Sequence, residues 1–131
     1  MNNKKAFFST GRKKSCVAKI ILVQNGRGCI KINNTHFNNY FTRPLHRLIV
    51  TQPLIKIINK HYDINCYVAG GGKTSQASSI SNAISKILYK LSVNHFALLK
   101  KNNFLTRDSR IVERKKYGRA KARKRFQFSK R

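Results

Sequence analysis

Hydrophobic and polar positions follow a pattern typical of β-strands in two stretches of the first seventy residues. Cys16 to Val23 (CVAKIILV) is β-branched and apolar on both alternating faces, which is typical of a strand buried by its neighbours. Tyr62 to Ala69 (YDINCYVA) alternates apolar with polar side chains and predicts a second strand. Between them, Cys29 to Ile32 (CIKI) follows the turn residues Asn25 to Gly28. We therefore predict a hairpin of the segments 16–23 and 29–32.

The pattern changes to a period of 3.6 residues after three consecutive glycines, Gly70 to Gly72, and predicts the longest helix. We expect Thr74 or Ser75 to cap it. The opposite side of this helix is small and polar, and consists of Ser78, Ser79, Asn82, Ser85 and Lys86. Its apolar positions are Ala77, Ile80, Ala83, Ile84, Ile87, Leu88 and Leu91.

Shorter elements are predicted elsewhere. Phe37, Tyr40 and Phe41 have helical spacing ahead of Pro44, which predicts a short helix whose aromatic side chains belong to the core. Pro53 favours two short elements, one on each side of it, in the segment 45–59. The basic residues in the segment 1–15 predict a solvated N-terminal segment that ends in a turn. The sum is an α+β fold with helices on one face of a sheet.

The segment from Arg107 to Arg131 has a different composition from the rest of the chain. It holds twelve of the 29 basic residues in twenty-five positions, and no helical or extended register gives it a continuous apolar face. Such a segment cannot offset its ordering entropy by burial. We therefore predict a globular body over residues 1–106 and an extended tail over residues 107–131 that a polyanion orders.

The charge of the whole chain narrows the class of partner. The formal net charge is +26, and positive side chains recur from Lys4 to Arg131 and are not confined to one helix face. This distribution favours nucleic acid over a membrane surface or a small-molecule substrate. No apolar run approaches the ~20 residues that a membrane-spanning helix needs.

This chain has few side chains that could act in catalysis or bind a metal ion. Asp63, Asp108 and Glu113 are the only carboxylates, too few for a paired general acid and base or a magnesium site. The three cysteines show no CxxC spacing, so we expect no zinc site and no disulfide framework. We expect all three side chains to be buried in the core, and we expect the protein to reside in a reducing compartment. An enzyme, a cofactor and a bound metal are therefore not expected.

The motif GGGKT, at positions 70–74, bears comparison with the phosphate-binding loop of nucleotide hydrolases. That loop needs a glycine at position 67, where this chain has Tyr67. Nucleotide hydrolysis is therefore not expected. Two interpretations stay open, a purely structural strand-to-helix turn and a turn whose backbone amides and Lys73 meet an RNA phosphate.

Several motifs, in this order along the chain, closely resemble the family of protein nine of the small ribosomal subunit, in its bacterial and organellar branch. They are GRKKSCVAKI near the start, IN at positions 32–33 with YF at positions 40–41, QPL at positions 52–54, GGG..SQA in the middle, LTRDSR..ERKK.G..KAR at positions 105–123 and the terminal QFSKR. The resemblance implies a four-stranded sheet with helices on one face, a left-handed βαβ crossover, and a tail that threads through the head of the subunit. It implies no catalytic activity.

The resemblance also implies partners and site residues. The body would pack against 16S-type ribosomal RNA and other proteins of the small-subunit head, and the end of the tail would approach the tRNA in the peptidyl site. Arg131 would be the leading tRNA contact, supported by Lys130 and Ser129. The expected ribosomal RNA contacts are Arg12, Lys13, Lys14, Lys73, Arg107, Arg110, Arg114, Lys115, Lys116, Arg119, Lys121, Arg123, Lys124 and Arg125. A free, nonspecific nucleic-acid-binding protein is the alternative.

Composition bears on the source. Asn and Ile each occur thirteen times and have A- and T-rich codons, which favours an AT-rich genome such as that of an organelle. Since the chain begins at Met without a transit peptide, we expect a plastid ribosome, with a mitochondrial ribosome or the bacterial cytoplasm as alternatives.

Overall fold

One mixed sheet and four α-helices build the computed structural model, which describes residues 5–57 and 62–130. The strands are β1 (Ala6–Lys13), β2 (Cys16–Gln24), β3 (Ile30–Ile32), β4 (Thr35–His36) and β5 (Tyr62–Ala69). The helices are α1 (Phe37–Tyr40), α2 (Pro44–Ile57), α3 (Lys73–Leu91) and α4 (Phe96–Lys101), with a short 3-10 helix, Val93–His95, ahead of α4. The predicted α+β class is confirmed.

The strand order is β1-β2-β5-β3-β4. Strand β5 runs antiparallel to β2 on one side and parallel to β3 on the other. The predicted hairpin of β2 and β3 is therefore wrong, because β5 lies between them. The connection from β3 to β5 contains α1 and α2 and makes a βαβ unit, for which the left-handed sense stays a prediction.

The sheet has five strands in the described residues, one more than expected, because β4 adds a two-residue strand beside β3. Asn33 and Asn34 form the turn between these two strands with φ of 47° and 64°. Both residues are left-handed, as a type I′ hairpin turn requires, and Asn tolerates that conformation better than most residues.

Strand β1 replaces the predicted solvated terminus over Ala6–Lys13, whereas residues 1–4 of that prediction lie outside the described residues. It pairs antiparallel with β2 along its whole length, from Ala6 opposite Val23 to Lys13 opposite Cys16. Its apolar residues, Ala6, Phe7 and Phe8, lie together at one end, and Gly11 is its one fully buried position. The hairpin pairing with β2, a strongly apolar neighbour, therefore creates a strand that its own residues do not predict.

Helix α3 occupies the centre of the core. It covers one face of the sheet, where alternate residues of β2 and β5 are buried, and α2 packs on its other side. The predicted apolar positions of α3 are buried, except that Leu91 is only half buried. The short helix α1 also places Phe37 and Phe41 in the core, as predicted.

Two predictions about helix boundaries are wrong. The segment around Pro53 is the single helix α2, with Pro53 buried inside it. Helix α3 has Gly72 as its N-cap and no capping side chain, so neither Thr74 nor Ser75 caps it. The Thr74 hydroxyl instead lies 3.1 Å from His46 Nε2, a hydrogen bond that joins α3 to α2.

Candidate nucleic-acid interface

The basic turn Arg12–Lys14 connects β1 to β2 and lies beside the start of the tail. Lys13 pairs with Cys16 across a two-residue turn in which Lys14 has a φ of 51°. The Lys13 ammonium lies 4.0 Å from the Asp108 carboxylate. This ion pair joins the β1–β2 turn, near the start of the sequence, to the segment that follows Arg107.

The start of the tail is organised by one carboxylate. Asp108 Oδ1 accepts a hydrogen bond from the backbone N–H of Arg110 at 3.0 Å, and Arg110 Nη2 donates to Oδ2 at 2.8 Å. These hydrogen bonds from Arg110 hold the pKa of Asp108 well below its usual range. Lys13 and Lys14 line a shallow hollow with Asp108, Arg110 and Ile111.

A polar cleft of about 220 Å³ lies between the basic turn, α3 and the start of the tail. Arg12, Lys13 and Arg107 line it together with the hydroxyl and amide side chains of Ser78, Ser81, Asn82 and Asn103. Asn82 donates from Nδ2 to the Phe104 carbonyl at 2.9 Å, which ties α3 to the segment that leads into the tail. Three predicted contact residues thus converge on one cleft.

Two lysines that the sequence reasoning missed add to this positive region. Burial, followed by the charges of Arg107, Arg12 and Lys90, lowers the pKa of Lys86. Lys86 Nζ also donates to the Thr10 carbonyl at 2.9 Å and so crosses the free edge of β1. The spacing of Lys86 and Lys90, one helical turn apart on α3, was the signal that could have found them.

The glycine-rich turn has a structural reason of its own. Gly70 and Gly71 have φ of 76° and 64°, and a Cβ on Gly70 would lie 2.6 Å from the Ser15 carbonyl oxygen. The turn therefore packs against the β1–β2 turn, and only glycine fits there. Lys73 is exposed, and its ammonium lies 3.4 Å from the centre of the Tyr40 ring. This cation–π contact holds Lys73 beside the turn.

The tail has no helix or strand in residues 107–130, but it is not extended throughout. Arg123 donates from Nε and Nη2 to both Glu113 oxygens, at 3.0 and 2.8 Å. Ten extended residues would span roughly 33 Å, so this pair shows that the chain folds back. Gly118, with φ of 67°, lies within the resulting loop. Hydrogen bonds from Arg123 lower the pKa of Glu113.

The predicted contact residues fall into three groups. Those at the junction of body and tail are Arg12, Lys13, Lys14, Arg107 and Arg110. Lys73 lies at the glycine-rich turn. The rest lie along the tail, where Arg119 is half buried and the others are exposed: Arg114, Lys115, Lys116, Lys121, Arg123, Lys124, Arg125, Ser129 and Lys130. Arg131 lies outside the described residues.

Within residues 5–57 and 62–130, no cluster of His, Cys, Asp and Glu could hold a metal ion. In the same part of the chain, no helix is both long and apolar enough to span a bilayer. Cys16 and Cys66 are buried as expected, and burial raises the pKa of the Cys66 thiol to about 12. The prediction for Cys29 is wrong, since this residue is exposed in the loop between β2 and β3.

A small, strongly basic α+β protein with positive side chains converging from its two ends is typical of ribonucleoprotein components. The model of one family, described as ribosomal protein S9/S16, matches residues 11–131. The chain belongs to this family, which confirms the resemblance drawn from the sequence. Its role is that of a small-subunit ribosomal protein, its location is the ribosome, and its partners are small-subunit ribosomal RNA and ribosomal proteins.

Proposed function

We propose that this chain is a non-catalytic structural component of the small-subunit head that binds ribosomal RNA and helps to position tRNA in the peptidyl site. The body, residues 1–106, anchors on ribosomal RNA. The tail, residues 107–131, neutralises RNA phosphates along most of its length and presents Ser129, Lys130 and Arg131 to the tRNA.

One observation carries the RNA-binding part of this proposal. The β1–β2 turn and the start of the tail are about ninety residues apart in sequence, yet Arg12, Lys13 and Arg107 line the same cleft. Positive charges held this close repel one another in the free protein. A polyanion relieves that repulsion and gains from counterion release. The arrangement therefore suits a surface that is occupied by phosphate.

The tail supports the same function through its accessibility. Its Lys and Arg side chains are mostly exposed, and its two carboxylates are each paired with an arginine, Asp108 with Arg110 and Glu113 with Arg123. The pairing masks the two negative charges that would repel phosphate. Since such exposed pairs are weak, RNA phosphate can compete for both arginines.

The tRNA part of the proposal is tested by removing the last two residues, Lys130 and Arg131. We expect small subunits to assemble normally with the shortened protein and to bind peptidyl-site tRNA more weakly, because two cations are lost at the tRNA backbone. Filter binding of tRNA to purified subunits measures this. A matched control replaces Lys100 and Lys101, two exposed residues of α4, by Gln. Equal tRNA affinity of the shortened and control subunits would show that the end of the tail does not contact tRNA.

Sedimentation distinguishes the ribosomal role from a free nucleic-acid-binding protein. We expect tagged protein to comigrate stably with small subunits in gradients of moderate salt and high magnesium. Diffuse association with any RNA or DNA would contradict the proposal. We further propose a plastid ribosome on the basis of the Asn- and Ile-rich composition. The genome that encodes the chain decides between this location, a mitochondrion and a bacterial cytoplasm.

A further inference from the structure

The face of the sheet that α3 does not cover carries two exposed aromatic side chains. Phe8 of β1 is 64% exposed and Tyr67 of β5 is 50% exposed. The strand register places them on one face, because Phe8 lies opposite Ile21 of β2 and Tyr67 lies opposite Lys19 of the same strand. Two aromatic rings therefore flank β2 on the open side of the sheet.

The spacing of the two rings follows from sheet geometry. Phe8 and Tyr67 are two strands apart and offset by two residues along the strands. With strands ~4.8 Å apart and a rise of ~3.4 Å per residue, their Cα atoms are roughly 12 Å apart. Stacked bases of one strand are only ~3.4 Å apart, so each ring has room for a separate base.

The surroundings of the rings are positive. Phe8, Ile21 and Tyr67 line a shallow groove of about 530 Å³, the aromatic groove, whose lysines are Lys19, Lys86 and Lys90. No carboxylate is among the described residues that line it. Lys86 and Lys90 belong to α3 and reach the groove across the free edge of β1. The aromatic groove thus combines two rings with three cations.

We propose that the aromatic groove binds an unpaired segment of RNA, with bases stacked on Phe8 and Tyr67 and phosphates at Lys19, Lys86 and Lys90. Single-stranded nucleic acid is bound by aromatic platforms on sheets beside positive grooves, since every base has a π-face and every linker a phosphate. A protein partner fits less well, because the cores of protein interfaces are depleted of lysine. This inference rests on the proposed function in one respect, which is that the nucleic acid bound by the protein is RNA.

The test removes the rings without changing the charge. The full-length double variant Phe8→Leu/Tyr67→Leu is compared with the control variant Tyr89→Leu/Phe96→Leu. The control rings are 41% and 40% exposed and lie 5.4 Å apart, centre to centre, on α3 and α4, outside the aromatic groove. Affinities are measured for an unstructured oligoribonucleotide that contains 2-aminopurine and for an RNA duplex with the same number of phosphates.

We expect the groove variant to lose roughly thirtyfold in affinity for the single strand, about fivefold for each ring. Its affinity for the duplex should stay unchanged, because the basic tail remains. The quenching of 2-aminopurine on binding, which reports stacking, should also be lost. The control variant should match the unaltered protein in all three measurements.

Three results would overturn the inference. The first is unchanged single-strand affinity in the groove variant, and the second is an equal loss with the control variant. The third is normal oligonucleotide binding together with loss of the groove variant from small subunits, which would assign the groove to a protein partner. If the unaltered protein failed to enter subunits, the ribosomal proposal would fail, while the oligonucleotide measurements would still decide the groove.

Discussion

Gly11 of β1 lies directly against the backbone of α3, and replacing it by alanine should destabilise the body. A Cβ at residue 11 would overlap the Ser79 carbonyl oxygen and would lie 2.9 Å from the Ala83 backbone nitrogen. Both atoms belong to the helix backbone and cannot rotate away as a flexible side chain could. The helix or the strand must therefore shift to admit the methyl group.

Such overpacking costs about 1–3 kcal/mol. In a body of this size, 1 kcal/mol lowers Tm by about 4–8 °C, so Gly11→Ala should lower Tm by about 10 °C. The strain lies between α3 and the strand that leads into Arg12, Lys13 and Lys14. The variant should therefore also disturb the junction where these residues meet the start of the tail.

Thermal unfolding followed by far-UV circular dichroism measures the effect, at an ionic strength that screens the repulsion among positive charges. The matched control is Gly72→Ala. A Cβ on Gly72 would have no neighbour within 4 Å, and its φ of −91° suits any residue. This control should lose only an N-cap preference of ~0.5 kcal/mol. If Gly11→Ala unfolded within a few degrees of the control, the close passage of β1 over α3 would be refuted.

Two further predictions concern single side chains. In native protein an alkylating reagent should modify Cys29 first and Cys66 only on unfolding, because Cys66 is buried and its raised pKa of about 12 keeps it a thiol. Mass spectrometry of the modified peptides measures the order of modification. Early modification of Cys66 in native protein would contradict the prediction. Arg123 lowers the pKa of Glu113, so the loop that this pair closes should persist as the pH falls through 4.5, the ordinary value, and open only at lower pH. The Arg123 Nε–H resonance should report this opening, and in Glu113→Gln the transition should be absent.

Local signals in the sequence were sufficient for the elements that are regular and apolar. β2, β5 and the apolar side of α3 follow from period and composition, and the glycines mark the turn between β5 and α3. Sequence reasoning failed where distant parts of the chain decide the structure. The insertion of β5 between β2 and β3 depends on pairing across more than thirty residues, which a turn signal at residues 25–28 does not contain.

The single helix α2 shows the same limit at Pro53. A proline inside a helix removes one backbone hydrogen bond and crowds the preceding turn, so the local rule predicted a break. Pro53 and Val50 are nevertheless buried, and α2 packs along α3. Tertiary packing therefore outweighs the local cost. The candidate site shows the same limit. Arg12 and Arg107 were each predicted to contact RNA, but that they line one cleft depends on long-range folding.

The serine-rich side of α3 explains how the basic turn is placed. Ser79 and Ser85 are fully buried although they belong to the small, polar side of the helix, and each hydroxyl donates at 2.8 Å to the carbonyl four residues earlier. Because these bonds satisfy the hydroxyls within the helix, serine acts here as a small core residue. Small side chains on α3 and the missing Cβ of Gly11 let β1 lie directly on the helix. The close contact fixes the end of β1, and it thereby holds Arg12 and Lys13 at the cleft that Arg107 completes.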